Sequence, residues 1–151
     1  MTSIPPSYPE KFTFYHPIAV RYADLDTHRH VNNISVLEYV ETARTAYYQA
    51  AGIWDGVTVE NMGMVVVSVK CDYLESICFG QSVRVGLTLD SIGAKSLRFR
   101  FQVEDGEGER AFARGDVVMV SYDHFEGHSR PVSAEWRRKL AAFEHREDFL
   151  A

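Results

Sequence analysis

The chain has 151 residues, 46% of them hydrophobic and 25% charged, which is the size and balance of one soluble domain able to bury a core. A net charge of −5 excludes the broad basic footprint of a nucleic-acid-binding protein, although a local cluster of cations could still hold a small phosphorylated ligand. Cys71 and Cys78 form no CxxC pair, the first ten residues hold no apolar signal core, and no run approaches the ~18 apolar residues of a membrane span, so a cytoplasmic protein with no membrane partner is expected.

Residues 1–11 contain three of the five prolines and little to pack, and read as a flexible arm. One domain is expected over 12–145, followed by a tail over 146–151. Residues 12–21 alternate as a first strand. A polar loop follows, carrying Asp24, Asp26, His28, His30, Asn32 and Asn33. It leads into a helix, because Val36, Val40, Ala43, Tyr47 and Ala50 recur at three- and four-residue spacing as one apolar stripe. Asn32 or Asn33 caps its start and Gly52 stands where a left-handed residue would stop it. Ala43, Ala46, Ala50 and Ala51 let this helix press closely on a sheet.

After a polar connection over 53–63, the run Met64 to Val69 is apolar on both faces and β-branched, which predicts a central strand. Val83, Val85, Leu87 and Leu89, then Leu97, Phe99, Phe101 and Val103, alternate with polar residues as antiparallel strands with one wet face. Residues 91–95 make the turn between them. Asp105-Gly106-Glu107-Gly108 is a hairpin signal, a long strand follows over 109–122, and residues 134–143 read as a short helix rich in Arg and Lys. One strand, one long helix and four further strands cannot build βαβ repeats. The expected architecture is α+β, an antiparallel sheet wrapped around one long helix.

Asp24-Leu25-Asp26, His30-Val31-Asn32-Asn33 and Glu41-Thr42-Ala43-Arg44 together resemble the signature of hotdog-fold thioesterases. The pattern is similar to the 4-hydroxybenzoyl-CoA thioesterase group and, in HVNN, to the plant acyl-ACP thioesterases. The resemblance implies that Asp26 is the catalytic carboxylate. It implies a homodimer joined edge to edge, often paired into a homotetramer, with sites between subunits and the 53–63 connection near the partner's site. It implies no metal or cofactor, CoA entering only as part of substrate or product. Two positions depart from the pattern: His28 stands where the acyl-ACP enzymes have Asn, and Glu75-Ser76-Ile77 stands where many relatives have Pro.

Thioester hydrolysis needs a carboxylate that attacks the carbonyl or activates water, and dipoles that stabilise the oxyanion. A helix N-terminus supplies such dipoles. Asp26 lies a few residues before one. As ordinary loop carboxylates, Asp24 and Asp26 would instead close turns on their own backbone. On a shared face, their repulsion would raise the pKa of one. His30 is a candidate to orient the carboxylate, polarise the carbonyl or protonate the leaving thiol. His28 is a weaker one, and the Asp/His cluster lacks the usual spacing of a zinc site.

Val31, Asn33, Glu41 and Met64 are expected to line the substrate site, and the resemblance implies that Lys95, Ser96 and Arg98, at a turn and strand start, lie near the nucleotide of an acyl-CoA. Arg137, Arg138 and Lys139 form a second basic cluster that reads as solvated surface, and Tyr39, Tyr47 and Trp54 are as well explained by core packing. The expected activity is hydrolysis of an acyl-CoA to a carboxylic acid and CoA. Acyl-ACP hydrolysis and a non-catalytic acyl-CoA-binding module are the alternatives.

Overall fold

The structure, a computed structural model, describes residues 11–151. The expected arm therefore lies almost wholly outside the described residues. Strands β1 (Phe14–Ile18), β2 (Met64–Tyr73), β3 (Val83–Ile92), β4 (Ser96–Asp105), β5 (Ala111–Asp123) and β6 (His128–Ser129) join helices α1 (Asn33–Ala51) and α2 (Ala134–Glu144). All strand pairs are antiparallel, in the order β1-β3-β4-β5-β2, with β6 added on β5.

The sheet curls around α1, which packs on β1, β3 and β4. The alternating residues of β3 and β4 supply its floor: Leu87, Leu89, Leu97, Phe99 and Phe101 are fully buried. Tyr47 is the hub on the helix side, meeting Phe14, Phe99 and Phe143 edge-on at 5.7, 5.0 and 5.0 Å. The helical stripe Val36, Val40, Ala43 and Tyr47 is buried as expected, but Ala50 is exposed and Ala51 buried. Steps of four from Ala43 through Tyr47 carry the stripe to Ala51. Glu144 at the end of α2 is buried too, where its Oε1 accepts from the Tyr47 hydroxyl at 2.6 Å and from the Leu89 N–H at 2.7 Å. Burial, then the Glu144 charge, pushes the Tyr47 phenol far above its usual range.

Three expectations about elements need correction. The first strand stops at Ile18, because Asp24 folds residues 22–24 into a 3₁₀ turn by accepting the Arg21 N–H at 2.9 Å. The strand expected to be central, β2, is an edge strand. Among the described residues it pairs only with β5, and a bulge interrupts it between Val66 and Ser68. Apolarity on both faces reports that a strand becomes covered, not what covers it; in one chain Val66, Val67 and Val69 are 44, 57 and 46% exposed. The third correction concerns 146–151, read as a tail. It carries a 3₁₀ turn, Glu147–Leu150, that buries Phe149 in the core. No helix of the described residues is long and apolar enough to cross a membrane.

Candidate active site

The loop between β1 and α1 is fixed at both ends by its own polar groups. Asp24 is buried beneath it, and its carboxylate accepts from the Tyr39 hydroxyl at 2.6 Å and from the Arg21 Nε and Nη2 at 3.1 and 2.9 Å. Burial alone would raise the carboxyl's pKa; the Tyr39 phenol and the Arg21 N–H groups outweigh it and hold Asp24 below the usual carboxylate range. Asp24 and Asp26 therefore do not share a face and a charge conflict. One carboxylate anchors the loop, while the other stays in the opening.

Asp26 begins a tight reversal. Its Oδ1 accepts from the His28 N–H at 2.8 Å, its carbonyl from the Arg29 N–H at 3.0 Å, and its own N–H donates to the His30 carbonyl at 2.9 Å. Arg29 closes the turn in the left-handed region with φ 65°. The turn contact foreseen for an ordinary loop Asp is thus made, but it occupies one oxygen. Oδ2 has no donor among the described residues.

Leu25 then bridges Val31, His30 bridges Cys78, and the Val31 N–H donates to the Ile77 carbonyl at 2.8 Å. Asn32 is the cap, not Asn33: its Oδ1 takes the Ile34 N–H at 2.8 Å and its carbonyl takes the Val36 N–H at 3.1 Å. The Asn33 N–H is left over at the positive end of α1.

These contacts bring Asp26, His28, His30, Val31 and Asn33 to one cleft of about 350 Å³. The expected set is joined there by Tyr73 and the chain from Leu74 to Ile77, with Val36 and Phe112 behind. Tyr73 donates its hydroxyl to the Asn33 carbonyl at 2.9 Å, tying the end of β2 to the start of α1. Burial, then the neighbouring Cys71, pushes its phenol up to about 12. Strand periodicity through Val69 and Cys71 could have placed Tyr73 on the helix side; nothing local marks Glu75 or Phe112.

The remaining expected residues do not line this cleft within one chain. Glu41 is exposed further along α1 and Met64 is buried in the core. Lys95 donates to Ser129 Oγ at 3.2 Å, and Ser96 and Arg98 belong to β4, with Arg98 3.9 Å from Asp116. Of the second basic cluster, Arg137 reaches the Gly93 carbonyl and Lys139 the Gly52 carbonyl. The described residues contain no group of three or more His, Cys, Asp or Glu placed to hold a metal ion.

A curled antiparallel sheet around one long helix is the hotdog fold. The chain belongs to the thioesterase-like superfamily, whose family model matches residues 20–143. It is 30% identical over 118 residues, 77% of each chain, to the uncharacterized protein YsmA of Bacillus subtilis (strain 168). It is 29% identical over 79 residues to the long-chain acyl-CoA thioesterase FadM of Escherichia coli (strain K12), covering 52% of this chain and 60% of that one. Among solved structures, a thioesterase of Thermus thermophilus complexed with coenzyme A and zinc superposes with a TM-score of 0.79 at 33% identity, covering 91% of this chain and 99% of that one.

Proposed function

We infer that this chain is an acyl-CoA thioesterase that hydrolyses an acyl-CoA to a carboxylic acid and free CoA, with Asp26 as its central carboxylate. The observation that carries this reading is the pairing of an unengaged Asp26 oxygen with the N-terminus of α1 in one cleft. The family and its relatives, one of them solved with coenzyme A and another a long-chain acyl-CoA thioesterase, support the chemistry.

Two routes fit the arrangement. In one, Asp26 takes a proton from water as the water adds to the thioester carbon, and the tetrahedral oxyanion rests on the leftover amide of α1. In the other, Asp26 adds directly, expels the thiolate and forms a mixed anhydride that water then cleaves. His30 is the group suited to protonate the departing sulfur. No metal or further cofactor enters either route. The test is CoA release, read with a thiol reagent, from acetyl- through palmitoyl-CoA together with benzoyl- and phenylacetyl-CoA. Turnover of any of them sustains the assignment, and silence across the whole panel moves acyl-ACP hydrolysis or simple acyl-CoA binding ahead of it.

The bare edge of β2 calls for a second copy of the chain, since an exposed apolar edge strand is a template for pairing. We read the protein as a homodimer joined through this edge, which also allows Lys95, Ser96 and Arg98 of one subunit to serve the nucleotide of a thioester bound to the other. A charge on the edge opposes such pairing, so Val69→Lys is expected to run as a monomer in light scattering where the wild type runs as a dimer. An unchanged dimer would move the interface elsewhere. The thioesterase domain in this reading runs from residue 12 past the expected limit of 145 to the turn that buries Phe149, and the cytoplasm is its compartment.

A further inference from the structure

The wall of the cleft opposite the loop holds a second acidic residue besides Asp26, Glu75, whose side chain is about half exposed. At the end of β2 the Leu74 and Glu75 N–H groups both donate to the Phe112 carbonyl, at 2.8 and 3.1 Å, so the regular ladder ends there, and Glu75, two residues after Tyr73, lines the cleft with it. Arg110 holds Glu75 from behind: its Nε and Nη2 donate to the same oxygen, Oε2, at 3.0 and 2.8 Å. Oε1 is left to accept from something else. The charge of the cleft is correspondingly one-sided. Among the described residues its lining holds the carboxylates of Asp26 and Glu75 and the imidazoles of His28 and His30, but no Lys or Arg.

We propose that Glu75 is a specificity-determining residue that admits acyl groups ending in a hydrogen-bond donor, a hydroxyl or an amine, and turns away acyl groups ending in a carboxylate. The inference rests on the thioesterase reading and names the substrate class of that site. A donor at the far end of the acyl group meets the open Oε1, a charge-assisted hydrogen bond of the stronger kind. A carboxylate there meets two like charges with no cation in the described lining to receive it, and a specific repulsion of this sort is an effective way to discriminate. Arg110, which is not among the residues lining the cleft, offsets part of the Glu75 charge through their ion pair.

The experiment compares kcat/KM for hexanoyl-CoA, ω-hydroxyhexanoyl-CoA and adipoyl-CoA, which have one length and differ only in the terminal group. Wild type, Glu75→Gln and Arg110→Gln are assayed at low and high salt. Wild type is expected to favour the hydroxyacyl over the adipoyl substrate by roughly tenfold, and less at high salt, where charges screen one another. Glu75→Gln exposes Arg110 to the cleft without its partner, so its adipoyl-to-hexanoyl ratio rises by about tenfold or more; Arg110→Gln moves the same ratio down. Ratios in Glu75→Gln that stay within about twofold of wild type, from an enzyme that turns over the series, overturn the role of Glu75 and leave the thioesterase reading standing. A wild type that releases CoA from none of the three, nor from the wider panel, removes the thioesterase reading and this inference with it.

Discussion

Asp26→Asn is expected to lower kcat for the best acyl-CoA by roughly 100-fold or more, the loss that accompanies removal of a general base or nucleophile. The substitution is close to ideal for separating chemistry from folding. The amide keeps an Oδ1 that can accept the His28 N–H, so the turn from Asp26 to His30 retains its closing contacts. What disappears is the negative charge and basicity of the other oxygen. Circular dichroism and Tm should therefore match wild type while turnover collapses, and KM should change little if the loss is confined to the transition state. A single turnover in oxygen-labelled water then divides the two routes. Direct attack can leave the label on the Asp26 carboxylate, whereas general-base catalysis places it in the product acid alone. An Asp26→Asn enzyme with wild-type turnover would remove this carboxylate from the mechanism altogether.

Much of this site could be read from the sequence because it is local. Asp26, His30, Val31 and Asn33 fall within eight residues, and the same short-range rules that close a turn and cap a helix bring them together. Gly52 at φ 82° ends α1 where a left-handed stop was expected. The other wall was illegible for the opposite reason. Alternation reaches as far as Tyr73, but Glu75 and Phe112 are set beside the loop by the pairing of β2 with β5 and by the two N–H groups that turn onto the Phe112 carbonyl, and no pattern within residues 74–77 encodes that register. Misplacing β2 at the centre of the sheet had a related cause. A run of Val states that both faces avoid water, and the cover for an edge can come from another chain.

The role of Asp24 shows how far a long-range partner can change the meaning of a residue, and its substitution should be the most damaging to stability in the loop. Asp24 and Asp26 look alike in the sequence, yet Asp24 is buried against Tyr39, fifteen positions away, and turned from the cleft. Asp24→Asn replaces an oxygen that accepts from the Tyr39 hydroxyl or from Arg21 with an amide that donates, leaving donors facing donors in a buried site. The expected cost is about 2–4 kcal/mol in urea unfolding, with m unchanged. The pH dependence distinguishes this from a simple packing defect. Because the folded carboxyl is held below its unfolded value, its contribution is fully present above that unfolded value, ordinarily about 3.9, and is lost as pH falls through the lower, folded one. Wild type should thus exceed Asp24→Asn by a constant margin near neutrality, and the two should converge in acid. Activity should fall less than stability. The Asn32 N–H still donates to the Asp24 carbonyl at 2.8 Å, so backbone contacts continue to place Asp26 beside α1 in the molecules that remain folded. A margin that persists undiminished to the lowest pH at which both proteins fold would mean that the carboxylate charge is not what anchors the loop.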